Sequence, residues 1–432
     1  MSNLMSYLKK ILPLFLICFS VMLFSQEKAI SELSFTGNKK TKTRFLHYLT
    51  KVKEGESLDE EKIKLDVDRL KRLDGIAHAS YTIKATDEGY KVAYDLVENF
   101  SIIPGLRTGQ ANDGSFSYRV SVFEFNGFGR NIIYGGFYSR EVFDSFGVYL
   151  EHPYLITNKL GLGVNYQSLA TQQPIYFPDN QVNYIYTLKG PEFTVFYEKD
   201  FNTRFEFGTR IYEEAYQIIE GDPENEGKEG FIEPIADKVS FRGQYEYIDL
   251  DIEYHQLKGF QNRFVAEYFT GDIDILQTEF ILTNISSYYK RIGKKGNWAS
   301  RLQLSYSNPI EDSYFAPIVI DNQLNIRGGG NTIARGTSSV AMNTEYRHTL
   351  IEKNWFVLQS NAFLDAAGLQ APGEELNTLF NSNHFNVYSG VGVRFVHKRI
   401  FNAVIRVDYG FKALGNGAGE SSGLVFGIGQ YF

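Results

Sequence analysis

The side chains that catalysis most often recruits are thinly spread in this sequence. The seven histidines, His47, His78, His152, His255, His348, His384 and His397, are scattered, and no pair has the spacing of a zinc-binding helix. No Gly-x-Ser-x-Gly elbow occurs, and Gly328-Gly329-Gly330 lacks the Lys-Ser/Thr that would complete a phosphate loop. Residues 219–234 gather Glu220, Asp222, Glu224, Glu226, Glu229 and Glu233 among Gly and Pro, without the fixed glycine and closing Glu of a calcium loop. That run reads as a solvated acidic loop. No catalytic residue, cofactor or metal site is expected, and the chain does not read as an enzyme. With 44 Lys+Arg against 51 Asp+Glu there is no basic footprint for nucleic acid.

What must be positioned is therefore not a reacting group, and composition shows what kind of scaffold is present. The 432 residues are 15% aromatic, with 29 Tyr and 35 Phe, and include 39 Gly but only 11 Pro. Aromatic mass of this order excludes disorder, collagen and coiled coil. Beyond the first 25 residues there is no apolar run near the ~20 residues a spanning helix needs. At the N-terminus, Lys9 and Lys10 precede an apolar stretch from Ile11 to Phe24, followed by Ser25 and Gln26. This is the layout of a signal peptide over residues 1–25, with an uncleaved anchor helix as the alternative. The one cysteine, Cys18, lies inside it, so an exported chain needs neither disulfide nor thiolate chemistry.

Residues 29–99 form a unit unlike the rest. A short alternating segment ends at Gly37-Asn38. A helix is expected from Thr41 to Leu49, with Phe45, Leu46 and Leu49 on one face and Thr41 or Thr43 as N-cap. A second follows Ser57-Leu58-Asp59, with Ile63, Val67, Leu70 and Leu73 at helical spacing and Gly75 in the place of a C-cap glycine. Two strands, joined at Asp87-Glu88-Gly89, close the unit. From residue 100 onward the period changes to two. Leu160, Leu162, Val164 and Tyr166 share one face; so do Leu302, Leu304 and Tyr306, and again Ile405, Val407, Tyr409 and Phe411, with Val404 out of phase. One apolar and one polar face per strand, together with the aromatic surplus and an export signal, favour a transmembrane antiparallel β-barrel over a soluble sandwich. In hydrocarbon such a sheet must close, because an open edge leaves backbone groups unpaired.

Residues 29–99 resemble the polypeptide-transport-associated (POTRA) domain, through Gly37-Asn38, the 55–58 stretch, the 70–75 helix end and the closing Val97-Glu98. Ile76 departs from the aromatic usual there. The following segments are similar in order to the BamA and TamA family of outer-membrane protein assembly factors: Asn126-Gly127-Phe128-Gly129-Arg130, Glu151-His152-Pro153-Tyr154, Ile326-Arg327-Gly328, Asn343 with Glu345 and Arg347, Phe363-Leu364-Asp365-Ala366-Ala367-Gly368, Arg406-Val407-Asp408-Tyr409-Gly410, and the terminal Gly427-Ile428-Gly429-Gln430-Tyr431-Phe432. The resemblance implies a barrel of sixteen strands over 100–432 in the outer membrane, with residues 29–99 in the periplasm. It implies a loop folded into the lumen with Ile326, Arg327 and Gly328 at its tip and Asp365 as the partner of Arg327. A second pair, Arg335-Gly336, is an alternative tip, and an exposed loop arginine is the bland one. It also implies a seam between the first and last strands, where Gly105, Gly427 and Gly429 weaken pairing and Phe432 ends the chain. The partners implied are unfolded outer-membrane or exported polypeptides, the lipid bilayer, and accessory periplasmic or lipoprotein subunits. A passive channel and a dedicated two-partner-type secretion pore are the alternatives.

Overall fold

The computed structural model describes residues 28–110, 115–177, 180–228, 230–253, 255–272, 276, 278–308, 314–320, 326–327, 334–381, 384–398, 404–415 and 422–428. The expected signal peptide, Gly328, Gly429 and Phe432 lie outside the described residues.

In the N-terminal domain, β1 (Ile30–Thr36) leads into α1 (Thr43–Leu49) and α2 (Glu60–Lys71), followed by β2 (Ile76–Thr86) and β3 (Gly89–Glu98). The sheet order is β1-β3-β2, parallel between β1 and β3 and antiparallel between β3 and β2. The apolar positions that set the helix periods form one core: Phe45, Leu46, Leu49, Ile63, Val67 and Leu70 pack on Ile30, Leu33, Val92 and Tyr94. Buried Asp66 ties the helices together, accepting from Lys51 N (2.7 Å), Val52 N (2.9 Å) and Tyr94 Oη (3.2 Å). Asp59 caps α2 by accepting from Lys62 N.

Two local expectations are corrected. The N-cap of α1 is Lys42, without a side-chain cap; Thr41 Oγ1 instead accepts from Asn126 Nδ2 and Thr43 Oγ1 from Asn38 Nδ2. Gly75 is not a C-cap, since α2 ends at Lys71. It lies where the chain meets the barrel, and a Cβ there would come 2.7 Å from Asn126 Nδ2.

The barrel strands are β4 (Ile102–Gln110), β5 (Phe116–Gly127), β6 (Ile132–Glu141), β7 (Phe143–Thr157), β8 (Leu160–Phe177), β9 (Asn180–Glu198), β10 (Thr203–Ile218), β11 (Ile235–Glu253), β12 (Gln256–Gly271), β13 (Phe280–Ile292) and β14 (Gly296–Ser307). A small hairpin, β15 (Ile318–Ile320) and β16 (Ala334–Gly336), interrupts them, and β17 (Ser338–Glu352), β18 (Phe356–Gln370), β19 (Phe385–His397), β20 (Val404–Leu414) and β21 (Ser422–Ile428) complete the wall. Sixteen strands close into one antiparallel barrel, leaving β15 and β16 as a separate pair. The alternation sorts as expected: Leu302, Leu304, Tyr306, Ile405, Val407, Tyr409 and Phe411 are exposed on the outside, while Arg406 and Asp408 are buried inside. A continuous apolar outer belt is tolerable only against lipid. Out-of-phase Val404 turns inward onto Val357 and Val396. The acidic segment 219–234 joins β10 to β11 at the end remote from the N-terminal domain, pinned by Asn183 Nδ2 donating to Asp222 (3.0 Å) and by Phe231 stacking near Phe177 (4.6 Å).

Candidate functional site

The described parts of the connection from β14 to β17 lie in the lumen, and two arginines hold them to different walls. Arg327 is 1% exposed and Asp365 0%. Arg327 donates from Nε (2.9 Å) and Nη2 (3.0 Å) to the two oxygens of Asp365, and its backbone N donates to the same carboxylate at 3.0 Å. Its Nη1 donates to Glu345 at 2.5 Å, and the guanidinium lies 3.8 Å from the centre of the Phe363 ring. Ile326 beside it packs on Ile318, Ile320, Ala341 and Ala367. A planar fork on a two-oxygen acceptor suits a guanidinium held out of water.

The site is larger than the pair read from sequence. Glu345 also accepts from Arg347 Nε and from Arg394 Nη1 (2.7 Å). Asp408 accepts from Arg406 Nη1 (2.8 Å) and Asn361 Nδ2 (2.9 Å), and lies 3.9 Å from Arg327 Nη1. Glu345 and Arg347 come from β17, Asn361, Phe363 and Asp365 from β18, Arg394 from β19, and Arg406 and Asp408 from β20. The cradle thus spans four consecutive strands next to β21. Its lumen-facing parity was legible, as polar residues at every second position; their convergence needs the register. Glycines on β19 make room: a Cβ on Gly390 would meet the Phe363 ring at 2.4 Å, and one on Gly392 would meet Asp408 Oδ1 at 2.1 Å.

Arg335 is buried as well, on the opposite wall. It donates to Ala316 O (2.9 Å), Tyr216 Oη (3.2 Å) and Gln173 Oε1, so it meets β8 and β10 and, among the described residues, no carboxylate. The described parts of the connection therefore reach opposite walls of the lumen, with carboxylates around Arg327.

Closure is made by β21 against β4, through Phe426 opposite Thr108 and Gly427 opposite Arg107. On either side, β20 pairs with β21 from Ile405–Ile428 to Phe411–Ser422 and β4 pairs with β5 from Ile102–Glu124 to Gln110–Phe116. Gly105 lies on β4 against Ser121; its β21 side is not among the described pairs.

Residues 29–99 match the POTRA family, described as a surface antigen variable number repeat. No curated protein matches the sequence. Among solved structures, BamA from Haemophilus ducreyi lacking POTRA domains 1–3 superposes with a TM-score of 0.57 at 14% identity, covering 94% of this chain and 85% of that one. CdiB from Acinetobacter baumannii gives 0.61 at 12% identity (94% and 74% covered) and CdiB from Escherichia coli 0.62 at 12% (93% and 76%). Residues 29–99 are a POTRA domain, and the barrel that follows shares its fold with those of BamA and CdiB. At these identities the likeness to the solved structures is one of fold.

The POTRA domain is seated against the barrel turns at its own end. Lys40 Nζ pairs with Glu124 at 2.7 Å, and Lys42 N donates to Gly129 O at 2.9 Å. Arg72 lies over the Phe201 ring (3.6 Å) and donates to Ile248 O (2.9 Å), while Arg69 pairs with Glu198. Phe45 meets Tyr154 at 5.9 Å. Asp74, beside these turns, carries a carboxyl pushed up to about 7 by burial and by the charge of Glu151, against the opposing pull of Arg204.

Proposed function

We propose that this protein handles polypeptide clients at the seam of an outer-membrane barrel, inserting or translocating them, with its POTRA domain receiving them in the periplasm. The observation that carries this is that the barrel closes by pairing its last strand, β21, with its first, β4, with Phe426 opposite Thr108 and Gly427 opposite Arg107. A seam that parts exposes a row of backbone donors and acceptors on β4, and an incoming strand can pair with it. The edge strands of the POTRA sheet, β1 and β2, supply a second place for strand addition. The barrel then works without a catalytic residue, cofactor or nucleotide, the free energy coming from the client's own folding. Accessory periplasmic or lipoprotein subunits act alongside it. Secretion of one dedicated exported protein is the narrower form of the same reading.

A passive channel is the competing function, and the lumen residues Arg327 and Arg335, anchored to opposite walls, speak against it. Photo-crosslinking from Thr108 in living cells, paired with planar-bilayer recording, separates the two. Crosslinks to newly exported polypeptides are expected; steady conductance without any crosslinked client contradicts the proposal.

A further inference from the structure

A surface group stands at the junction of the two domains, apart from the seam and the lumen. The turn between β5 and β6 carries Phe128, 74% exposed, in a left-handed backbone (φ 54°) that a bulky side chain seldom adopts. Gly129 follows at φ 70°; a Cβ there would lie 2.2 Å from Lys40 O, so the turn is pressed against the POTRA loop of residues 39–42. Lys42 N to Gly129 O (2.9 Å) and Asn126 Nδ2 to Thr41 Oγ1 (2.9 Å) fix the two segments together. The result is an open pocket lined by Lys39, Lys40, Lys42, Phe128, Gly129 and Arg130.

Its charges are unbalanced. Lys40 is matched by Glu124, and Glu98 accepts from the backbone N of Lys40 and Thr41, but among the described residues no carboxylate forms an ion pair with Lys39, Lys42 or Arg130, so four cations face two carboxylates. All three are exposed. The aromatic points to a membrane: Phe128 lies 6.4 Å from Tyr134, whose exposed ring continues the outward-facing stripe of Val120, Val122 and Tyr138. An excess of cations thus stands at the POTRA-side edge of the apolar belt, beside a ring held outward at the level where amphipathic aromatics sit.

We propose that this pocket binds the headgroup of an anionic glycerophospholipid of the inner leaflet, with Phe128 and Tyr134 against its acyl chains. Because the cations come largely from the POTRA loop and the aromatics from the barrel, a bound lipid bridges the domains and favours the docked arrangement. The inference rests on the membrane location proposed above. Each basic group near an anionic surface contributes about 1 kcal/mol, roughly fivefold in affinity.

The test uses the full chain in nanodiscs of phosphatidylethanolamine with and without phosphatidylglycerol. Heat-modified electrophoretic mobility in phosphatidylethanolamine alone reports whether the barrel inserts at all, and its failure counts against the membrane reading rather than this one. With insertion established, native mass spectrometry after detergent release is expected to find phosphatidylglycerol retained over phosphatidylethanolamine. K39Q/K42Q/R130Q should lose that preference by roughly fivefold per charge, whereas K62Q/K64Q/K91Q, which removes the same charge elsewhere on the POTRA domain, should keep it. Phe128→Ala should shorten retention while leaving the headgroup preference. Equal retention of the two lipids by the wild-type chain, or undiminished preference in K39Q/K42Q/R130Q, overturns the proposal.

Discussion

Asp408 on β20 reaches Asn361 on β18 across the intervening strand because the residue between them in register is Gly392. A Cβ at that position would stand 2.1 Å from Asp408 Oδ1 and 2.7 Å from Asn361 Oδ1. One missing side chain on β19 thus lets three strands share a polar row, and the row backs the lumen arginine.

Gly392→Ala is expected to push Asp408 off Asn361 and to destabilise the barrel by about 1–3 kcal/mol, the usual cost of overpacking or of an unmade buried hydrogen bond. Urea unfolding of the reconstituted protein measures this. Unchanged stability would mean that the row relaxes without loss.

Removing one member of the cradle should be worse than removing two. Asp365→Ala leaves Arg327 short of its bidentate acceptor and should cost about 3–5 kcal/mol, the range for breaking a buried pair. Adding Arg327→Ala should recover part of that loss, a coupling read from the double-mutant cycle. A straight charge swap is a poorer probe, since Arg327→Glu would face Glu345, now 2.5 Å from the guanidinium. Additive losses would show that Arg327 and Asp365 do not act as a pair.

Docking of the POTRA domain should depend on pH through Asp74. Its ordinary value is 3.8, and seated against the barrel it is pushed up to about 7. The docked state therefore holds a proton that the free state gives up. The contribution to docking is fully present below about pH 4 and is lost as pH rises towards and through 7. Hydrogen exchange at the Lys42 amide, bonded to Gly129 O, should accordingly quicken between pH 5 and 8 beyond its intrinsic rate. Asp74→Asn should remove that extra dependence; an unaltered profile in the variant would assign it to another group.

Local periodicity made much of this legible. The inside and outside of a strand follow from parity, so Ile405, Val407 and Tyr409 could be placed on lipid from the sequence, and the domain order followed from the change of period at residue 100; Asp365, like Arg327, was placed in the lumen by resemblance. Arg327 came from resemblance to a family rather than from spacing. Glu345, Arg394 and Asp408 were not legible as its surroundings, because their meeting depends on how β17 to β20 align, which no single strand encodes. The same limit explains Thr41 and Gly75: local rules made them helix caps, whereas Asn126, far along the chain, places both against the barrel turn.

If the seam opens to handle clients, a disulfide across it must stop them. Thr108 and Phe426 are opposite one another in register, and Cys18 is the only native cysteine of the chain. Oxidised Thr108→Cys/Phe426→Cys protein, at normal level and with folded-barrel mobility, should fail to assemble or export its clients and recover on reduction. Client assembly and export that continue undiminished with the seam locked would contradict the account.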